Sequence, residues 1–590
     1  MSITPSPVFD ADRLGRIVAV APELDQLAAE FAARARIPGF AYGVVAGGRL
    51  VHVGGVGLAD VEAQLPAGER TLFRIASMTK SFVAVAILQL RDAALLALDD
   101  PVDRYVPALA SLTYPTGDSP HLTLRHLLTM NSGWPEDNPW GDRKLVLDDA
   151  AFSALLASGI TFAAAPNTHY EYSNLGFMIL GRVVKEIAGL PFQEYATQHI
   201  LRPLGMLGTC WNVDKAKQSV AKGYDGIAGE FVENDLAWAC SAGDAAAFGG
   251  LYSSMHDLAK WVMLFLSAWP PRDGDEGLIL RRSSLREMQR CANPRMLTPR
   301  KKKVGAPFRH EVGGYAYGLF ASYAEELGQI VGHSGGLPGF GSHMVWLPDH
   351  DVGVVTLANS TYAPAVPIAM QMLRHVVTNA HLALRRVQPA DALLAAQEHT
   401  VRLLHQWDDA LVDNLVAANF FLDKSREHWQ TELAQLRDRH GELQIEGELN
   451  VTNPLRGGWK MRGERGWCNV WITLAPTVPP SVQYLHVESV FLPDKGMQTA
   501  LDGLLAATAS PTVRAVAKLF APDSDRRAVL AHLRAVNLFY GACTLEEILG
   551  GDGVERTVAQ LQSAEGALEV VIALNPLTGK VRFVEFSAPV

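Results

Sequence analysis

The stretch Phe73-Arg74-Ile75-Ala76-Ser77-Met78-Thr79-Lys80-Ser81-Phe82 runs without a break into Val83-Ala84-Val85-Ala86-Ile87-Leu88-Gln89-Leu90. A run this apolar and this long reads as a helix buried in the interior of a large fold. Residues three apart share one face of a helix, so Ser77 and Lys80 are predicted to sit side by side at its start. That pairing has chemical consequences. A serine hydroxyl is a weak nucleophile until a neighbouring base takes its proton. A lysine in an apolar pocket loses proton affinity, because burial disfavours the ammonium. The start of a helix also favours negative charge near the serine oxygen. Ser77 is the candidate nucleophile and Lys80 the candidate activator.

Ser-x-x-Lys alone recurs by chance in long chains, so its company decides. Two motifs follow in order. Tyr172-Ser173-Asn174 lies in Tyr170-Glu171-Tyr172-Ser173-Asn174-Leu175-Gly176-Phe177, and His333-Ser334-Gly335 lies in Val331-Gly332-His333-Ser334-Gly335-Gly336. The set resembles the serine β-lactamase and penicillin-binding superfamily. Its Tyr-x-Asn version resembles the branch of class C β-lactamases, DD-peptidases, D-aminopeptidases and esterases. Asp99-Asp100-Pro101-Val102, Leu124–Gly133 and Gly249-Gly250-Leu251-Tyr252-Ser253-Ser254 resemble the same branch. The likeness runs from about residue 20 to about residue 380.

The resemblance implies an acyl-enzyme formed on Ser77, with Lys80 and Tyr172 sharing the proton and Tyr172 protonating the leaving group. Which of the two takes the proton first stays open. A phenol beside an ammonium favours its anion, so Tyr172 is a candidate base near neutral pH. Tyr170 competes for the role, but Tyr172 fits Tyr-x-Asn. Asn174 is expected to hold Lys80 and the substrate amide. His333, Ser334 and Gly335 are the expected substrate-binding strand, and the backbone N–H groups of Ser77 and Gly336 the oxyanion hole. His333 stands where class C β-lactamases usually carry lysine. That departure favours a peptidase, amidase or esterase over a β-lactamase. Linearised microcystin-like peptides and other peptides with D- or unusual residues are candidate substrates. A carboxylesterase or weak β-lactamase is the alternative, and an inactive penicillin-binding-like sensor the alternative of another class. Gly332-His333-Ser334-Gly335-Gly336 also fits the Gly-x-Ser-x-Gly nucleophile elbow. That elbow needs strand, turn and helix, whereas a strand pattern resumes here, so Ser334 is not the expected nucleophile. Asp244 is read as a loop cap near the site.

The expected fold is α+β, an α/β sandwich: an antiparallel sheet flanked by helices, with an inserted all-helical subdomain. Residues 10–38 read as one helix and Met255–Ser267 as another. Strands are expected at 41–46, 50–54, Tyr315–Ala321, Gln329–His333, Gly341–Trp346 and Val352–Ala358, with helical runs over 100–240 and 360–415. Trp134–Trp140 would either wall a pocket or pack on the surface. The C-terminal third repeats with a period near 100: Phe420 and Phe520, Leu433 and Leu533, Gly466 and Gly566, Val470 and Val570, Leu474 and Leu574 correspond. Two α+β modules of the cone-shaped, nuclear-transport-factor-like sort are expected, each a helix and then several antiparallel strands. They would serve in packing, in homo-oligomerisation or as a lid on the active site. The expected domains are 1–385, 386–495 and 496–590.

The length of 590 residues suits several domains. A net charge of −10 argues against nucleic-acid binding, and Arg300–Lys303, the one basic run, reads as a solvated loop. Five cysteines, Cys210, Cys240, Cys291, Cys468 and Cys543, form no Cys-x-x-Cys pair, so neither a disulfide framework nor a zinc site is expected. No cofactor or metal is expected. The start lacks a basic and apolar leader, and no membrane span is read. Together with isolated cysteines this points to the cytoplasm, or to the periplasm if the start is trimmed. The expected partner is a small-molecule or peptide substrate.

Overall fold

A computed structural model describes residues 8–214, 216–227, 230–238, 243–274, 276–295, 311–324 and 326–587. Cys240 and the Arg300–Lys303 run lie outside the described residues. The chain divides into two compact units, Val8–Arg386 and the chain from Val387 onward.

The first unit is built on an antiparallel nine-stranded sheet. Numbering only its strands, these are β1 (Gly39–Ala46), β2 (Arg49–Asp60), β3 (Leu65–Pro66), β4 (Asn293–Arg295), β5 (Glu311–Tyr315), β6 (Phe320–Ala324), β7 (Gly328–Leu337), β8 (Phe340–Leu347) and β9 (Val352–Ala358). Their spatial order is β3-β2-β1-β9-β8-β7-β6-β5-β4. Successive side chains of a strand point to opposite faces, and both faces here are covered. Val44 and Val354, which pair across β1 and β9, enter one core with the helices Arg13–Val20, Glu23–Ala35 and Ala365–Asn379. Their neighbours Val45 and Val355 enter the other, larger core, which holds the Thr79–Asp92 and Met255–Ser267 helices. The helical insertion between β3 and β4 belongs to that side.

Several expectations shift at their edges. The single helix over 10–38 is two, Arg13–Val20 and Glu23–Ala35, separated at Ala21 and Pro22. Proline at position 22 donates no backbone N–H, so it starts the second helix rather than continuing the first. The strand expected at Tyr315–Ala321 is the end of β5 and the start of β6. Gly318 adopts φ +65 at the reversal between them, a conformation that suits glycine. The 100–240 region is less helical than expected: it contains a hairpin, Tyr224–Ile227 with Glu230–Glu233, and long irregular connections. The run over 360–415 is three helices, Ala365–Asn379, Asp391–His405 and Asp409–Leu415.

In the second unit the repeat is structural. The first copy has helices Asp391–His405, Asp409–Leu415 and Arg426–His440, then strands Gln444–Asn453, Arg456–Gly463, Gly466–Leu474 and Val482–Phe491. The second has helices Lys495–Ala509, Val513–Leu519 and Arg526–Tyr540, then strands Thr544–Gly551, Arg556–Ser563, Gly566–Leu574 and Val581–Ser587. Each copy therefore opens with three helices rather than one, and each sheet is a four-stranded meander. The corresponding residues do the same work. Leu433, Val470, Ile472 and Leu474 are buried in one core, and Leu533, Val570, Ile572 and Leu574 in the other. Gly441 and Gly541 end the third helices at φ 78 and φ 74, where glycine carries no steric penalty.

Candidate active site

Ser77 lies in a single 3-10 turn, Ala76–Met78, that leads directly into the Thr79–Asp92 helix. Ala76, immediately before it, is held at φ +47. That left-handed conformation costs an alanine roughly 1–2 kcal/mol. Such strain persists only where surrounding contacts fix the backbone. Here they come from β7 and β8: Ser342 Oγ donates to the Ile75 carbonyl at 3.1 Å. The same carbonyl lies 2.1 Å from where a Cβ on Gly335 would stand. Only glycine at 335 lets the strand approach the nucleophile turn this closely.

Lys80 follows one turn later and is fully buried. Its Nζ lies 3.0 Å from Ser77 Oγ, 2.6 Å from Asn174 Oδ1 and 3.0 Å from the Phe248 carbonyl. The rings of Tyr172, Phe248 and Phe177 surround the nitrogen at 4.9, 5.3 and 5.7 Å. Burial in this aromatic box brings the Lys80 pKa down to about 7, against the weaker opposing pull of the Asp142 and Asp137 carboxylates.

Asn174 is set by a helix terminus. Ser173 is the N-cap of the Asn174–Ala188 helix, its hydroxyl accepting from Gly176 N–H. Asp137 completes the cap: its carboxylate accepts from the backbone N–H groups of Asn174 at 2.6 Å and Leu175 at 2.9 Å. It also accepts from Ser173 Oγ at 3.1 Å. A carboxylate there meets both the free N–H groups and the helix dipole. The Asn174 amide then reaches Lys80 with Oδ1 and Asn138 Oδ1 with Nδ2, the latter at 3.2 Å.

Tyr172 hydrogen-bonds Ser77 through its phenol, but desolvation dominates and holds its pKa well above the ordinary value for tyrosine. Tyr170 lines the same cavity. Tyr315 closes the back of the site, its ring edge-on to Tyr172 with centroids 6.4 Å apart.

His333 lies behind the site rather than in it. It is 1% exposed and does not line the cavity. Its Nδ1 lies 2.6 Å from the Ser334 carbonyl and its Nε2 3.0 Å from the Tyr315 hydroxyl. A carbonyl only accepts, so Nδ1 carries the proton and Nε2 accepts from the phenol. Burial, aided by the nearby Lys80 charge, brings its pKa down to about 3. His333, expected as a substrate contact, is thus a neutral, buried support behind the cavity. An unperturbed histidine is half charged at about pH 6.5, and burial removes that charge here.

The cavity encloses about 670 Å³ and is lined by Ser77, Tyr172, Ser334, Gly335 and Gly336 among others. Glu136 and Asn138, from the Trp134–Trp140 segment, form part of its wall, whereas Trp134 is buried in the core. Gly332 to Gly336 all lie within β7, with β8 following, so Ser334 sits on no strand-to-helix elbow. Asp244 is ion-paired with Arg182 and does not line the cavity. Asp137, Asp142, Phe248 and Tyr315 were not singled out in the sequence. Asp142 accepts from Tyr362 Oη at 2.8 Å on the cavity wall. For Asp137 alone a local signal existed, an acidic residue in a Pro- and Asn-rich loop. Its helix lies 37 residues away in sequence, and no local pattern links the two.

The Beta-lactamase family profile matches residues 24–377, well over half of the chain. The chain belongs to the beta-lactamase family. It thus falls within the serine β-lactamase and penicillin-binding protein superfamily. Protein flp of Staphylococcus aureus (strain MW2) is 28% identical over 339 residues, which is 56% of this chain and 62% of that protein. Penicillin-binding protein 4* of Bacillus subtilis (strain 168) is 24% identical over 321 residues, 53% of this chain and 66% of that protein. The match thus spans somewhat under two thirds of the length of these curated relatives. The octameric penicillin-binding protein homologue from Pyrococcus abyssi shares the fold: it covers 96% of this chain and 99% of its own, with a TM-score of 0.52 and 20% identity. Among the described residues no helix is long and apolar enough to cross a membrane.

Proposed function

We propose that the first unit is a serine amidase or peptidase acting through an acyl-enzyme on Ser77. The observation that carries this reading is the 3.0 Å approach of a fully buried, proton-poor Lys80 to Ser77 Oγ at the wall of an open cavity. Lys80, about half neutral at pH 7, takes the Ser77 proton as Oγ attacks the carbonyl carbon. The new oxyanion lies between the N–H groups of Ser77 and Gly336. Losing one such donor typically costs roughly 3–4 kcal/mol of barrier stabilisation. The C–N bond then breaks, and the departing amine takes a proton from Tyr172, which recovers one from the Lys80 ammonium. A water repeats the sequence in reverse to free the acyl group.

Burial separates the two proton carriers. It lowers the lysine towards neutrality and keeps the phenol protonated. Lys80 is therefore the first acceptor and Tyr172 the donor to the leaving group. An amine leaves only when protonated, so a phenol that holds its proton favours amide cleavage.

The charges at the cavity bear on the substrate. Among its described lining residues are two carboxylates, Glu136 and Glu171, and no lysine, arginine or histidine. A substrate carboxylate meets repulsion there, and an ammonium finds partners. That supports small peptides with a free amino group, D- or unusual residues included, over carboxylate-bearing β-lactams. Self-association is part of the same proposal, supported by the octameric state of the Pyrococcus abyssi homologue. Light scattering of the full chain tests it.

The functional test is a panel of D- and L-aminoacyl p-nitroanilides, p-nitrophenyl esters and nitrocefin, run on the wild type and Ser77→Ala. Anilide turnover that disappears in Ser77→Ala is expected. Turnover of esters or nitrocefin alone would move the reading to an esterase or β-lactamase.

A further inference from the structure

Six consecutive residues, Tyr362–Pro367, line the cavity that holds Ser77. Apart from the Tyr362 hydroxyl, none of them carries a polar side-chain group. Tyr362 is 48% exposed and Val366 41%. The segment therefore presents apolar surface that the protein itself leaves uncovered, and no step of the mechanism above uses it.

Tyr362 reaches the chemistry itself. A Cβ on Gly336 would lie 2.9 Å from Tyr362 Cδ1, so the ring packs on the residue whose N–H is assigned to the oxyanion. The ring is held at both ends. At its tip, Oη donates to Oδ2 of the buried Asp142 at 2.8 Å. At its base, Tyr362 adopts φ +47, an unfavourable conformation for a bulky side chain. The flanking backbone fixes it there. Thr361 N–H donates to the Tyr224 carbonyl at 3.0 Å, Ala363 N–H to the Ser360 carbonyl at 3.1 Å, and Gly339 N–H to Thr361 Oγ1 at 2.6 Å. Strain that neighbours hold in place clusters at active sites and ligand clamps. Packing alone gives no reason to keep a half-exposed aromatic ring on a strained backbone.

We propose that Tyr362–Pro367 is the wall on which the substrate lays an apolar side chain of a residue flanking the cleaved bond, with Tyr362 as the specificity-determining residue. The proposal rests on Ser77 as nucleophile and on the amidase reading. It deepens them by naming the substrate class: peptides with an aliphatic or aromatic residue at the cleaved bond. The contact of the ring with Gly336 supplies the location, since only groups next to the attacked carbonyl lie within its reach. An apolar side chain there takes area from water on both surfaces. Glycine leaves the wall wet, and a charged side chain finds no partner along it.

The experiment uses dipeptides with a free amino group, Xaa-Ala and Ala-Xaa, in L and D forms, where Xaa is glycine, leucine, phenylalanine, aspartate or lysine. Release of the free amino acid by the full chain is the readout. In one of the two positions, wild-type kcat/KM for leucine or phenylalanine should exceed that for glycine on the order of ten- to a hundredfold, with aspartate below glycine. In Tyr362→Ala the leucine-to-glycine ratio should fall about three- to tenfold. Tyr362→Phe keeps the ring and loses the bond to Asp142, so it should retain part of the ratio. Val366→Asp places a carboxylate in the first turn of the Ala365–Asn379 helix, where a negative charge is tolerated. Independently of Tyr362, it should lower the leucine ratio and raise lysine relative to leucine. The same wall is read on labelling by fluorophosphonates with a methyl or an isobutyl group on phosphorus, in which Ser77 Oγ displaces fluoride. The isobutyl-to-methyl rate ratio should fall in Tyr362→Ala. Ratios unchanged in both Tyr362→Ala and Val366→Asp overturn the proposal, as does an equal loss on small and large groups, which marks a structural role. Labelling that follows the expected pattern without dipeptide turnover would leave the wall standing and sink the amidase reading. Wild-type enzyme that takes no label on Ser77 would sink the nucleophile, and the wall with it.

Discussion

The most quantitative consequence concerns the pH profile. Lys80 titrates at about 7 instead of 10.5 because burial strips water from its ammonium. At pH 7 about half of it is the free amine. At its ordinary pKa only a few molecules in ten thousand would be, so burial raises the population of competent base by on the order of a thousandfold. The sign follows from the role. The active form is the deprotonated one, so kcat/KM should rise with pH through a single ionisation near 7 and level off above about 8. Measuring kcat/KM for a neutral p-nitrophenyl ester from pH 5 to 9.5 reads this directly, since the profile reports the free enzyme. His333 is the confounding group, because an ordinary histidine titrates in the same range. Its pKa is brought down to about 3, so His333→Gln should leave the midpoint in place. Asp142→Asn should move it to lower pH, because the Asp142 carboxylate favours the ammonium. A midpoint near 10, or one that vanishes in His333→Gln, would refute the assignment of Lys80.

Further outcomes follow from single contacts. Gly335→Ala drives a methyl to 2.1 Å from the Ile75 carbonyl. It should cost on the order of 1–3 kcal/mol of stability in denaturant titrations and most of the activity. Asp137→Ala removes acceptors from two N–H groups at the start of the Asn174–Ala188 helix. A loss of about 1–2 kcal/mol is expected, with a fall in kcat larger than any rise in KM, since Asn174 no longer holds Lys80. Lys80→Met should abolish turnover and change the pH dependence of stability. The wild type has a lysine pKa below its unfolded value, so between about pH 7 and 10.5 its unfolded state binds more protons and its stability rises with pH. Relative to Lys80→Met, the wild type should gain on the order of 4 kcal/mol from pH 6 to pH 10 in urea unfolding. Turnover should persist in EDTA, because the proposed steps use only Ser77, Lys80 and Tyr172. Inactivation reversed by zinc would contradict them.

The parts of the site legible in the sequence are those encoded locally. Ser77 and Lys80 meet because they are three residues apart at the start of one helix, and the apolar run behind them announces the burial that tunes the lysine. Met255–Ser267 and Val352–Ala358 have the bounds their periodicity indicates. What stayed hidden depends on distant segments. Tyr315 reaches His333 across two strands, and Asp137 caps a helix that begins 37 residues later. The neutrality of His333 could not be read either, since a pKa is a property of surroundings. A missed helix of the second C-terminal copy shows a related limit. Val513–Leu519 is seven residues long, too short for a period of 3.6 to stand out. The reversal at Gly318 could have been read: a glycine in the middle of a strand pattern signals a break.

The most direct measurement is covalent trapping. The full chain is treated with a fluorophosphonate, digested and sequenced by mass spectrometry. One adduct is expected, on the peptide that contains Ser77, and it should be lost in Ser77→Ala and retained in Ser334→Ala. An adduct on Ser334, or active enzyme that carries no adduct on Ser77, would contradict the assignment of the nucleophile.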